Sequence, residues 1–366
     1  MILKAGKLLD VSSGDYIYNP SIIIEDGYIK NIVSNNYYRP DANIVDLGSD
    51  MTLLPGLIDT HTHITYHFMN KRSTKTPIDY AIDNAFDTIN AGFTTIRDMG
   101  SIDNNDIVLR NLINSGQVIG PRMLVSGIPI FDDEFVESSI DNMILKRVKN
   151  TTDLIKIFNS ESKRGIPLFN ESVIRQLVNK ATNYNKPIAI HAHEPSAIRS
   201  SVLGGCTSIE HGSFITDDIA KLMNNRGTYL VPTLYLPHYY YENRNKFDFD
   251  NDTWDFFEKM KSNVYHIRNA VNHDVKISFG TDAVAGMHGK NAREFPFLLK
   301  IGLNTLEAIQ SATIIAAELL KLDHLIGEIV PNKIADLIAV SGDPLTNLNL
   351  LSDVKFVMKD GQIIKS

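Results

Sequence analysis

The sequence predicts an α/β protein: a (β/α)8 barrel carrying a small β-domain built from both chain ends. Three observations point there. Apolar strand candidates alternate with amphipathic helical patterns through the middle of the chain, both ends are β-rich, and metal-ligating residue types recur at the ends of the strand candidates. In a parallel barrel the C-terminal strand ends share one face, where catalytic groups collect.

The N-terminal segments MILKAGKLLD, SIIIEDGYIK and ANIVDLGSD alternate like strands and are broken by turn residues. GEIVPNKIADLIAV and VKFVMKDGQII return to that style at the other end. IEDGYIK and MKDGQII each set Asp-Gly between apolar residues, a hairpin signal. Residues 1–52 and 325–366 are therefore expected to form one composite β-domain beside a catalytic barrel of residues 53–324. Within the barrel the strand candidates are LLPGLIDTHTH, FTTIRDMG, RMLVSG, DLIKIF, PIAIHAH, TSIEHG, TYLVPTL and VKISFGTDA. Ile78, Ala81, Ile82, Ala85, Phe86 and Ile89 keep the i, i+3, i+4 spacing of a helix, as do Val173, Ile174, Leu177, Val178 and Ala181. Asn304, with Glu307 three residues on, resembles a capping box and opens a later helix. An open doubly wound sheet is the competing architecture, but no glycine-rich phosphate loop follows the first strand.

A chain of 366 residues, 43% hydrophobic and 22% charged, can bury a large core and is too apolar for disorder. Its net charge of −7, with no block of basic residues, argues against a nucleic-acid partner. Cys206 is alone, so no internal disulfide forms and no oxidising compartment is required. The N-terminus lacks the apolar core and cleavage site of a signal peptide, and no apolar run approaches the ~18 residues of a spanning helix. These features lead to the expectation of a soluble, cytoplasmic protein with no membrane partner.

Alternate residues of a strand point to the same side, so His61 and His63 project together and offer two neutral imidazoles to one divalent metal. An isolated pair of this kind is more often one solvated and one packed ring, so the other strand ends decide. They carry Lys156 on the fourth candidate, His191 on the fifth, His211 on the sixth and Asp282 on the eighth. Four of the 11 histidines fall at these ends, where random placement would scatter them. Taken alone, His211 could cap a helix and Asp282 could begin an Asx-turn. His193 faces the same side as His191 and reads as a neighbour of the ligands or a substrate contact, while Thr62 points away and packs. Lys156 is the odd member, because an ammonium inside DLIKIF would be both desolvated and repelled by a metal. It is neutral, or it has become a carbamate able to bridge two metals, or its stem packs while its head reaches the surface.

With these residues in place, the sequence resembles the amidohydrolase superfamily, and within it the zinc-dependent prolidase-like and imidazolonepropionase-related hydrolases. LLPGLIDTHTH, AGFTTIRDMG, GPRMLVSG, IKIF, AIHAH, IEHG, GTDA, NAREFPFLLKIGLNTLEAIQSAT and GEIVPNKIADLIAVSGDPL follow the order of that group over nearly the whole chain. The resemblance implies a distorted TIM barrel with a small β-sandwich domain made from both termini. It implies that His61, His63 and Asp282 hold a buried metal, that His191 and His211 hold an exposed one, and that carboxylated Lys156 bridges them. It further implies a shared hydroxide as nucleophile, with Asp282 carrying its proton to the leaving amine. The nitrogen and oxygen ligands, without thiolate, suit two zinc ions, which iron or manganese could replace. One departure stands out. After GPRMLVSG the relatives continue into a glycine- and histidine-rich substrate loop, whereas this chain reads IPIFDDEFVESSID.

The expected function is binuclear hydrolysis of an amide bond in a dipeptide or N-acyl amino acid, a small-molecule substrate. A mononuclear hydrolase of cyclic amides, or a deaminase, is the alternative suggested by HAHE, with Glu194 three residues after His191. A non-catalytic scaffold barrel is the third, disfavoured because every ligand position is retained. Arg72, His193 and Tyr235 are candidates for meeting a substrate carboxylate, although Lys71, Arg72 and Lys75 also suit a solvated loop. The aromatic run around Tyr235, Tyr239, Tyr240 and Tyr241 suits a pocket wall or a subunit interface, which leaves a homo-oligomer open.

Overall fold

The computed structural model describes residues 1–34, 37, 39–66, 75–131, 139–160, 165–262 and 264–366. Its middle is an α/β, TIM-barrel-like arrangement. The parallel strands are β1 (Leu57–Thr62), β2 (Phe93–Asp98), β3 (Arg122–Val125), β4 (Ile155–Phe158), β5 (Ile188–Ala192), β6 (Ser208–His211) and β7 (Tyr229–Val231). They form a three-stranded sheet in the order β3-β2-β1 and a four-stranded sheet in the order β4-β5-β6-β7. Isolated parallel bridges join Ile130 to Ile157, Leu230 to Ile277 and Thr62 to Ala283. Helices intervene in sequence, and buried apolar residues from strands and helices, among them Phe93, Ile155, Ile190, Ile209 and Phe295, share one large core.

The eighth expected strand, VKISFGTDA, differs from the others. Among the described residues it makes only the bridges at Ile277 and Ala283. The cause is local. Phe279 sends its N–H to Ser311 O, while the N–H groups of Thr281 and Asp282 both converge on His61 O. Asp282 itself sits at φ +53°. Gly280 is required there, because a Cβ would lie 2.9 Å from that of His61.

Helix starts follow their caps. Thr76 and Asp79 form a reciprocal capping box for Pro77–Asn90, which buries Ala81, Ala85 and Ile89. Asn304 and Glu307 do the same for Thr305–Ser311. In Glu171–Thr182 the expected apolar stripe buries Val173, Ile174, Leu177 and Ala181.

The β-rich ends build two further sheets. One has the order Tyr28–Ser34, Pro20–Glu25, Ile2–Lys4, Ile44–Asp46. The other runs Gln362–Lys365, Phe356–Lys359, Leu337–Ser341, Met51–Pro55, Lys7–Leu9, Tyr16–Tyr18 and so draws on both ends of the chain. Both Asp-Gly pairs form tight hairpins with positive φ at Asp26, Gly27, Asp360 and Gly361. The two turn tips meet, and a Cβ on Gly361 would stand 2.7 Å from Gly27 Cα. No helix among the described residues is long and apolar enough to cross a membrane.

Candidate metal centre

β1 carries the first two ligand candidates on an irregular stretch. Its pairing with β2 shifts register between Asp59 and Thr62, the kind of local distortion that re-aims side chains near active sites. Asp59 fills the irregularity. Its carboxylate accepts from His61 N (3.1 Å), Thr281 N (3.1 Å), Thr281 Oγ1 (2.6 Å) and Asn291 Nδ2 (2.8 Å). Burial raises its pKa to about 6 against those bonds. His61 and His63 end with ring centroids 5.5 Å apart, and Thr62 is buried beneath them.

Four of the rings have an orienting partner at Nδ1. His61 Nδ1 meets Glu210 Oε2 at 2.7 Å, His63 Nδ1 meets Gly100 O at 3.0 Å, His211 Nδ1 meets Thr233 Oγ1 at 2.7 Å, and His193 Nδ1 meets Ser213 Oγ at 2.7 Å. Gly100 is held in turn, because Asp98 accepts its N–H and that of Ile64. With Nδ1 engaged, Nε2 is left to face inward, which is how metal-binding histidines are usually fixed. His61 Nε2 has no hydrogen-bond partner among the described residues and stands 3.5 Å from Asp282 Oδ1. His63 Nε2 lies 3.3 Å from the same oxygen.

The strand ends bring the candidates together. The ligand atoms of His61, His211 and Asp282 lie within 4.8 Å of one another, as do those of His191, His193 and His211. His211 belongs to both groups, and His193 stands among them. Lys156 is 1% exposed, and its Nζ has no hydrogen-bond partner among the described residues. Its head therefore does not reach the surface. Burial lowers its pKa to about 8 despite the Glu210 and Asp282 charges. Burial, reinforced by the Lys156 charge, brings His63 to about 4 and His193 to about 3, and burial likewise holds His61, His191 and His211 far below the usual imidazole range. Burial raises Asp282 to about 7, with Lys156 opposing. Neutral imidazoles, an orphaned amine and a carboxyl brought together at the strand ends fit divalent metal. The donor set is nitrogen and oxygen, and the one cysteine, Cys206, is not among the grouped donors.

The other candidates are placed differently. Tyr235 turns its hydroxyl to Glu242 (3.0 Å) and Arg293 (2.8 Å), and its ring packs on Tyr239 and Phe297. Arg72 and Lys71 lie outside the described residues, as does most of the acidic segment after Ile130. Lys75 pairs with Asp83 at the surface. Glu194 is the N-cap residue of the helix Pro195–Gly204.

Sequence reasoning passed over Glu210 and Arg97. Both are fully enclosed, and Arg97 Nη2 donates to the Glu210 oxygens at 3.0 and 3.2 Å. Burial raises the Glu210 pKa, but the Arg97 charge and the His61 hydrogen bond outweigh it and bring it to about 2. The signal was present: Arg97 is a charge inside an apolar strand, as Lys156 is, and Glu210 directly precedes His211.

Seven ionisable groups that a metal-free protein would gain nothing by clustering make sense as the site of a metal-dependent hydrolase. The chain belongs to the Amidohydrolase family, which it matches over residues 52–364. It is a hydrolase acting on C–N bonds. It is similar to a Xaa-Pro dipeptidase whose structure holds methionine in the active site, with 31% identity, coverage of 100% of this chain and 99% of that one, and a TM-score of 0.91. A prolidase solved with N-methylphosphonate-L-proline superposes with a TM-score of 0.91 at 24% identity, covering 100% of this chain and 99% of that one, a likeness of fold. Among curated relatives, ochratoxinase of Aspergillus niger is 21% identical over 425 residues, covering 100% of this chain and 86% of its own length.

Proposed function

We propose that the chain is a binuclear-metal hydrolase that cleaves the amide bond of a dipeptide or N-acyl amino acid. One observation carries this reading: Lys156, buried without a hydrogen-bond partner amid histidines, is the residue a one-metal site would not need. His61, His63 and Asp282 would hold the inner metal and His191 and His211 the outer one, with Lys156 bridging as a carbamate. That carbamate forms when the neutral Nζ adds carbon dioxide and releases one proton. Two divalent metals, zinc by donor type, supply Lewis acidity that lowers the pKa of water and polarises the scissile carbonyl.

The chain's own groups do the rest. The Asp282 carboxylate takes the proton of the attacking water and delivers it to the leaving amine nitrogen. The partners at Nδ1 of His61, His63 and His211 keep each Nε2 lone pair aimed inward through turnover. His193, anchored by Ser213, contacts the substrate beside the outer metal. A free substrate carboxylate would be met by His193, by Arg72 or, with its present partners displaced, by Tyr235. Residues 53–324 form the catalytic barrel, and 1–52 with 325–366 form the small β-sandwich domain. The antiparallel pairing of Leu337–Ser341 with Met51–Pro55 supports a domain shared by both ends and carries its first part on to Pro55.

The dipeptidase likeness at 31% identity supports the peptide-like substrate class. A screen of dipeptides, N-acyl amino acids and cyclic amides with zinc present tests it. Turnover of dipeptides or N-acyl amino acids that requires the free carboxylate is expected. Activity confined to cyclic amides or amino-heterocycles would replace this reading with the mononuclear one.

A further inference from the structure

The aromatic rings beside the site fall on two sides of the strand order. Phe131 follows β3 and Phe158 closes β4. Their rings stack at 4.7 Å and 19°, and Phe158 continues onto His191 at 4.7 Å. Phe256 stands between the two sides, with an edge contact to His193 at 5.0 Å and, through Phe257, a link to Tyr240. On the other side, Tyr66 follows β1 and packs edge-on against His63 at 5.1 Å, while Tyr240 packs against the cluster that holds Ala283, the residue after Asp282. Phe131 is 36% exposed and Tyr66 41%. A single exposed apolar ring needs no explanation. A continuous stack from water through Phe131 and Phe158 to a candidate ligand histidine does. Among the described residues the only cation over either ring of that stack is Lys156, 5.1 Å from the Phe158 centroid.

The position of Asp282 orients the two sides. Asp282 lies on the segment bridged to β7 and β1, so the leaving amine that takes its proton sits toward Tyr66 and Tyr240. The other substituent of the scissile carbonyl then extends across the mouth toward β3, β4 and β5. We propose that the side formed by Phe131 and Phe158 is an acyl-group pocket that selects amides whose acyl moiety is aromatic. A planar ring laid on Phe131 extends an existing offset stack, a geometry aromatic pairs favour. The pocket rests on the amide-hydrolase reading and names the substrate class of that site.

The test compares N-acetyl-alanine with N-benzoyl-alanine and N-phenylacetyl-alanine on the zinc-loaded enzyme and on its Phe131→Ala variant. Burying one ring predicts a kcat/KM advantage of roughly ten-fold or more for the aromatic acyl groups. That advantage resides mainly in KM and collapses toward one in Phe131→Ala. Calorimetry with benzoate and acetate reads the same pocket without turnover. Benzoate is expected to bind about ten-fold tighter than acetate, and Phe131→Ala to abolish the difference. Equal kcat/KM across the acyl series, or a ratio that Phe131→Ala leaves unchanged, overturns the pocket. So does an advantage seen only when the amine side is made aromatic, as in N-acetyl-phenylalanine. If neither N-acyl amino acids nor dipeptides are turned over, the function proposed above fails. The benzoate preference and its loss in Phe131→Ala then decide the pocket by themselves.

Discussion

Glu210 sets the chemistry of His61 without touching the place where substrate would sit. Its Oε2 accepts a hydrogen bond from His61 Nδ1–H at 2.7 Å, and its other oxygen is occupied by Arg97 and Ser208. In Glu210→Gln one amide face must donate. If that face meets His61, it donates to Nδ1, moves the ring proton to Nε2 and removes a metal lone pair. If it meets Arg97, two donors collide. The variant should bind zinc roughly 10–100-fold more weakly in a chelator competition, the usual cost of losing such a partner. Unchanged affinity would show that His61 holds its tautomer unaided. At this scale the sequence displayed the ligand types, because histidines and an aspartate at strand ends can be seen one at a time. It displayed Arg97 and Glu210 less well, because their meaning lies in a pairing across 113 positions of chain.

The helix Tyr235–Glu242 has no side-chain cap of its own. Glu294, from a short 3-10 turn, supplies one from outside: its two carboxyl oxygens accept Leu234 N and Tyr235 N at 2.7 Å each. Glu294→Ala leaves two buried donors unpaired, at about 1–3 kcal/mol each. Urea melts should show that loss, and amide exchange should quicken at Leu234 and Tyr235. Protection as in the native protein would mean that water or a repacked side chain takes over the cap. Local pattern could not reveal this cap, since the capping residue arrives some 60 positions later. The same limit explains the eighth strand. VKISFGTDA has the composition of a strand, yet the hydrogen bonds of Phe279 and Asp282 are spent on Ser311 and His61. By contrast, the Asp-Gly hairpins and the Asn304 capping box were legible, because their physics is confined to a few adjacent residues.

The whole molecule carries opposing titrations. His63, His193 and His288 have pKa values depressed by burial to about 4, 3 and 4, and His61, His191 and His211 lie far below 6.5. The unfolded chain binds those protons first as pH falls below about 6.5, so the metal-free fold loses stability there. Asp59, Asp282 and Glu294 are raised by burial to about 6, 7 and 8. Their contribution is full at acid pH and is lost as pH rises through those values. Above about 6.5 these histidines are neutral in both states while Asp282 and Glu294 still hold protons that the unfolded chain has lost, so the metal-free Tm is predicted to fall from pH 6.5 toward pH 8. A Tm that climbs steadily across pH 6.5 to 8 in thermal scans would contradict this balance.

The central claim, that buried Lys156 bridges two metals, is tested most directly by metal stoichiometry. Zinc bound per chain is measured by elemental analysis in the native protein and in Lys156→Ala, both loaded with zinc in bicarbonate buffer and freed of excess. The account predicts two ions per native chain and one or none in the variant, with partial recovery when a short-chain carboxylic acid is added. One ion per native chain, or two in Lys156→Ala, would contradict it.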